Sequence, residues 1–131
     1  MDDYIRDYAF NNVETCVVDG VREFENKSHS LSDNSLNIFH LNIRSISENL
    51  DELVVYLQQF KKKFDLIVLS ETFQITDLSL HSLPGYDMLY NEGKVNRNDG
   101  VVVYIRSTIK YEYEIIGLEN INLLKITLVF N

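Results

Sequence analysis

Two apolar runs separated by one amphipathic segment constrain the fold more than anything else in this chain. Residues 36–41 are apolar except at Asn37 and His40 and read as a buried strand. Residues 66–69 form a continuous apolar run of the kind buried on both faces of a sheet. Between them Leu50, Leu53, Val54, Leu57, Phe60 and Phe64 recur at helical spacing. Asn49 with Glu52 three residues on has capping-box spacing. Lys61-Lys62-Lys63 follow, where cations favour the negative end of a helix dipole. The pattern predicts a helix over 50–63 packed on two parallel strands, 36–42 and 66–70, with a right-handed crossover.

That topology places two polar signatures at equivalent strand ends. One is His40-Leu41-Asn42-Ile43-Arg44-Ser45 and the other Leu69-Ser70-Glu71-Thr72. Ligands of open α/β sheets bind at this edge. A carboxylate beside an amide there suits a hard divalent cation and a phosphate. Glu71 is the sharpest candidate, because a carboxylate where a buried strand emerges is costly to desolvate unless a cation or donors meet it. The competing reading is a solvated strand-end glutamate. Asn42 suits a phosphate oxygen or a metal-bound water, or else simply turns the chain. Arg44 can contact phosphate or pair with Asp51 or Glu52. Thr72 can support Glu71 from behind or merely begin a loop. His40, alone in a strand, reads as structural, and Tyr86, Tyr90 and Tyr104 read as core or cross-strand aromatics rather than base-stacking platforms.

The rest of the chain is richer in strands than in helices. Leu83-Pro84-Gly85-Tyr86 is a turn. Residues 86–90 suit a short strand, and the polar loop 91–99 ends in Asn98-Asp99-Gly100, a hairpin-type signal. Residues 101–105 have the strongest β-propensity, and 111–116 and 123–130 follow as strands around a turn at Gly117. Residues 1–35 show no sustained period and end in a polar, linker-like stretch, so they are expected to be a flexible or partly helical leader. A short helix over 13–24 fits there. The expected domain therefore spans 36–131, an α/β unit opening with β-α-β and continuing into a mixed sheet or two packed sheets.

Composition limits the function classes. At 45% hydrophobic residues the chain can bury a core. Its net charge is −8, and residues 1–35 contribute eight acidic against three basic side chains. No broad basic face of a DNA-binding domain is visible in that balance. Cys16 is the only cysteine, so no intrachain disulfide or zinc cluster forms. No run approaches the roughly 18–20 apolar residues of a membrane span, and the first residues lack a signal-peptide pattern. A soluble intracellular protein is expected. Phosphate-cradling, dinucleotide-binding and nucleophile-elbow motifs are absent.

The ordered series is more specific than its parts. His40-Leu41-Asn42-Ile43-Arg44-Ser45-Ile46, Asn49-Leu50-Asp51-Glu52-Leu53, the segment 64–72 with its Ser70-Glu71-Thr72, Pro84-Gly85-Tyr86, and Asn98-Asp99-Gly100 with its following strand stand in sequence. Over residues 36–130 this resembles the opening half of the endonuclease/exonuclease/phosphatase family, most closely the apurinic-endonuclease-like domain of non-LTR retrotransposon polyproteins. The resemblance implies a four-layer α/β/β/α sandwich and Mg²⁺- or Mn²⁺-dependent phosphodiester cleavage. It implies a metal-binding role for Glu71, a place for Asn42 near metal and scissile phosphate, and Thr72 as the threonine of a Glu-Thr pair. DNA is the implied substrate, a reverse transcriptase domain the implied neighbour, and the nucleus the implied location. The family's later Gly-Asp-Phe-Asn-type and Ser-Asp-His-type motifs have no counterpart, and Asp99-Gly100 replaces a common glycine pair. The expectation is a truncated endonuclease domain, inactive alone. The alternatives are a non-catalytic interaction module or an enzyme completed by a second chain.

Overall fold

The computed structural model describes residues 17–28 and 35–130. The chain divides into two compact units, Met1–Ser32 and Asp33–Asn131. In the first, helix α1 spans Val21–Ser28. It begins after Gly20, whose φ is +93°. The Glu23 carboxylate accepts from the Asp19 N–H at 2.6 Å and pairs with Lys27 one turn on at 3.4 Å. The helix thus starts later than the 13–24 expected and runs into the stretch read as linker; residues 13–16 and 29–34 lie outside the described residues.

The second unit holds β1 (Ile38–Asn42), α2 (Ile46–Leu57), β2 (Leu66–Ser70), a 3₁₀ turn at Leu78–His81, β3 (Tyr86–Asn91), β4 (Val101–Arg106), β5 (Lys110–Gly117) and β6 (Asn122–Val129). The first four strands form one mixed sheet in the order β1-β2-β4-β3. β1 and β2 run parallel, with Ile38 opposite Leu66 and Asn42 opposite Ser70. β4 is antiparallel to both β2 and β3. β5 and β6 form a separate antiparallel hairpin.

Strand alternation sorts the core into two layers. Ile67, Leu69, Val102 and Tyr104 are buried on the face that carries α2, whose Ile46, Leu50 and Leu53 are also buried. Phe39 of β1 meets Tyr56 of the helix at 6.5 Å between ring centroids, and Phe64 at 5.3 Å. On the opposite face Leu66, Leu89, Val103 and Ile105 pack against Tyr111, Leu124, Ile126 and Leu128 of the hairpin. Helix, four-stranded sheet and two-stranded sheet therefore stack in that order. No helix among the described residues is long and apolar enough to cross a membrane.

Several local expectations are corrected. α2 begins at Ile46 with Ser45 at the N-cap, not at Asn49. The Asn49 amide instead donates back to the Ile43 and Arg44 carbonyls at 3.0 and 2.8 Å, fastening the β1–α2 loop. The helix ends at Leu57, so Phe60 and Phe64 leave it and stack edge-on at 5.2 Å, and the three lysines lie past its end. β1 is not buried: Ile38 is 55% exposed, because β1 is the edge strand. The turn before β4 is closed by Asp99 N–H to Asn96 carbonyl at 3.1 Å, two residues before the Asn98-Asp99-Gly100 signal would place it.

Asp65 ties the entry of β2 to both neighbours. Its carboxylate accepts from the Asn37 N–H at 2.8 Å and from the Arg106 guanidinium at 3.1 Å. Asp65→Ala is expected to cost about 1–2 kcal/mol in a urea titration, since one of these bonds is charge-assisted but Arg106 is partly solvated. Tyr104 is fully buried and donates to the His81 carbonyl at 2.6 Å. Burial pushes its phenol well above the ordinary range, and Tyr86 and Tyr90 move the same way for the same reason. A phenol held protonated by folding stabilises the native state fully below its unfolded pKa of about 10, and that stability is lost as pH rises beyond it. The urea midpoint should therefore fall steeply above about pH 10, and less steeply in Tyr104→Phe.

Candidate functional site

Parallel pairing of β1 with β2 brings their two exits side by side, and the backbone then locks them together. Ile43 N–H bonds the Ser70 carbonyl at 3.0 Å, Ser45 N–H the Glu71 carbonyl at 2.9 Å, and Ile46 N–H the Thr72 carbonyl at 3.1 Å. β4, antiparallel to β2, adds the third wall: Thr72 N–H bonds the Gly100 carbonyl at 3.2 Å. All four non-glycine residues with positive φ among the described residues are here, Arg44 (48°), Ser45 (82°), Glu71 (50°) and Phe73 (63°). Each such conformation costs of order 1–3 kcal/mol and persists only where its surroundings impose it, as at ligand sites.

Asn42, Arg44 and Glu71 line one open cleft of about 550 Å³ with Phe73, Asn96, Asn98 and Asp99. Glu71 and Asp99 also line an adjoining hollow of about 300 Å³ beside Asn91 and Asn122. The Glu71 side chain is exposed and forms no ion pair among the described residues. Arg44 is exposed too and pairs with neither Asp51 nor Glu52. Thr72 lies behind the cleft rather than in it, 1% exposed, its hydroxyl donating to the Phe73 carbonyl at 3.2 Å. His40 does not line the cleft; its Nε2 is 3.3 Å from the Ser70 hydroxyl on the hairpin side of the sheet. The tyrosines sit in the fold: Tyr86 donates to the Phe64 carbonyl at 2.6 Å, and Tyr90 accepts from the Ile75 N–H at 3.3 Å.

In the sequence Asn98 and Asp99 read only as a turn signal and Asn96 only as part of a polar loop, because that loop carries no strand-end signature. Their signal was topological. Once β4 runs antiparallel to β2 with Val101 opposite Ser70, the residues just before Val101 must return beside Glu71. The loop is held by the hairpin, through Lys94 donating to the Leu118 carbonyl and the Asn122 amide donating to the Glu92 carbonyl at 3.3 Å.

The cleft offers two carboxylates, three side-chain amides and one guanidinium. No cluster of three or more histidine, cysteine, aspartate or glutamate residues with metal-binding placement occurs among the described residues. A Mg²⁺ site needs no such cluster, because it uses one or two carboxylates with waters and phosphate oxygens. Arg44 offers a planar donor fork of the kind that matches a carboxylate or a phosphate. Compared with protein-family models and with curated proteins, the sequence matches none.

Proposed function

We propose that this chain forms the cation- and phosphate-binding half of a Mg²⁺-dependent phosphodiesterase site, of the DNA endonuclease type found beside retrotransposon reverse transcriptases. The observation that carries this is the convergence of Asn42, Arg44 and Glu71 on one cleft whose backbone is strained at Arg44, Glu71 and Phe73. The four-layer sandwich of the endonuclease/exonuclease/phosphatase family is the architecture proposed for the complete domain. The layers helix, mixed sheet and second sheet are compatible with it.

In this reading Glu71 and Asp99 hold the cation, Asn42 orients the phosphate, and Arg44 neutralises its charge. A bound divalent ion would stabilise charge on the phosphoryl and leaving oxygens. Thr72 keeps the Glu71 backbone in place from the buried side. The cleft lining holds no histidine, and no positioned base is assigned to activate water. Such a group contributes about 10²–10⁴-fold. A second reading, an interaction module without catalysis, draws on apolar side chains left exposed on the edge strand β1 and on the β5–β6 hairpin, where Ile38, Tyr113 and Ile115 are 55%, 57% and 49% exposed.

Plasmid binding and nicking test the proposal together. Residues 1–131 should bind supercoiled plasmid more tightly with Mg²⁺ than without, lose that enhancement in Glu71→Gln, and leave the plasmid intact. Metal-independent binding unaffected by Glu71→Gln would overturn the site. Mg²⁺-dependent nicking lost in Glu71→Ala would overturn the half-site reading and make the chain a self-sufficient nuclease.

A further inference from the structure

Residues 94–99, which bring Asn96, Asn98 and Asp99 to the cleft, are all exposed, so burial in the core does not fix them. Segments with few buried contacts open most easily. What holds this loop is its first turn. Buried Asn91 donates its side-chain amide to the Asn122 carbonyl at 2.9 Å, and Asn122 donates its own to the Glu92 carbonyl at 3.3 Å. The clasp is reciprocal, side chain to backbone in both directions. Lys94 adds a bond to the Leu118 carbonyl, within a turn that the Leu118 N–H closes on the Ile121 carbonyl at 2.8 Å. Between the tethered Glu92 and Lys94 stands Gly93. Its φ is not positive, so close approach rather than backbone conformation calls for glycine there. A Cβ built on it would stand 2.7 Å from the Asp99 Cβ and 2.6 Å from the Asn96 carbonyl oxygen. The tethered segment therefore lies directly against the base of the Asp99 side chain.

We infer that Asn91, Gly93 and Asn122 are positioning residues, through which the β5–β6 turn sets where the Asp99 carboxylate stands relative to Glu71. The inference rests on the proposal that Asp99 and Glu71 share a cation. It extends that site to a hairpin that contributes no group to the cleft itself. The other side of Asp99 is already fixed, since the Gly100 carbonyl accepts from the Thr72 N–H at 3.2 Å. The two carboxylates are thus held by different elements, Glu71 by the paired exits of β1 and β2, Asp99 by the hairpin. Mg²⁺ demands near-ideal octahedral geometry at roughly 2.0–2.1 Å, so a displaced carboxylate binds it poorly. Groups that orient a metal ligand from behind typically cost about 10–100-fold in affinity when removed.

The test uses the full chain. Mn²⁺ affinity is read from the paramagnetic resonance signal of the free ion, and ion position from paramagnetic relaxation of ¹⁵N-labelled amides. Asn122→Ala breaks the clasp, whereas Gly93→Ala presses on Asp99 with the clasp's polar groups intact. Each should weaken Mn²⁺ binding about tenfold. In each, relaxation of residues 96–100 should fall relative to that of 70–73, because the ion stays with Glu71 while the loop moves away. A tie that is merely structural would change the two segments together or not at all. Circular dichroism and a cooperative urea transition establish that the variants fold, and Asn91→Ala, which breaks the other half of the clasp, should give the same loss. Unchanged affinity in the folded variants, or an equal fall in relaxation at both segments, would overturn the inference and leave the cation site standing. Absence of any Mn²⁺ binding in the parent that Glu71→Gln removes would overturn the cation proposal and this inference with it.

Discussion

Replacing Gly100 with alanine is expected to destabilise the fold by about 3 kcal/mol. Gly100 has φ of +117°, a region that side chains rarely enter. A Cβ built there stands 2.6 Å from the Thr72 hydroxyl oxygen and 3.3 Å from the Phe73 carbonyl. Neither neighbour can retreat, since Thr72 is 1% exposed and its N–H is bonded to the Gly100 carbonyl itself. Two separable costs are involved, backbone strain and overlap. Thr72→Ala removes the hydroxyl, so Gly100→Ala made on that background should cost only the strain, about 1–2 kcal/mol. Urea denaturation of the four proteins of this double-mutant cycle measures the difference. Coupling near zero would mean that Thr72 does not press on Gly100.

Glu71→Gly should have the opposite character: it should abolish cation binding while holding stability or raising it by up to about 1 kcal/mol. Glu71 occupies φ of +50° with an exposed side chain, so its conformation is strained and its carboxylate forms no ion pair among the described residues. Glycine adopts that conformation without steric cost, though its greater freedom in the unfolded chain offsets part of the gain. A loss of more than about 1 kcal/mol in Glu71→Gly would instead assign the carboxylate a structural role.

The β-α-β opening was legible because it rests on periodicity, and periodicity survives whatever packs around it. Leu50 and Leu53 on one helical face, and the unbroken run at 66–69, needed only the assumption of a core. What failed was local. Asn49 looked like a cap because its spacing to Glu52 is right, yet its amide serves the loop before the helix. Lys61-Lys62-Lys63 looked like a helix end because charge near a terminus is usual, and nothing in the string shows that α2 stops four residues earlier. Residues 36–41 looked buried because apolarity does not distinguish an edge strand from a central one. At the site, Asn42, Arg44 and Glu71 were visible as strand-end signatures. Asn96, Asn98 and Asp99 were not, because their place depends on the antiparallel return of β4.

The central test is whether a divalent cation binds in the cleft lined by Asn42 and Glu71. Mn²⁺ added to ¹⁵N-labelled protein broadens amide signals steeply with proximity, so it reports position as well as occupancy. Selective loss of the signals of residues 42–45, 70–73 and 96–100, reversed by excess Mg²⁺ and absent in Glu71→Gln, is the result expected. Broadening spread over other acidic surface segments, or unchanged in Glu71→Gln, would contradict it.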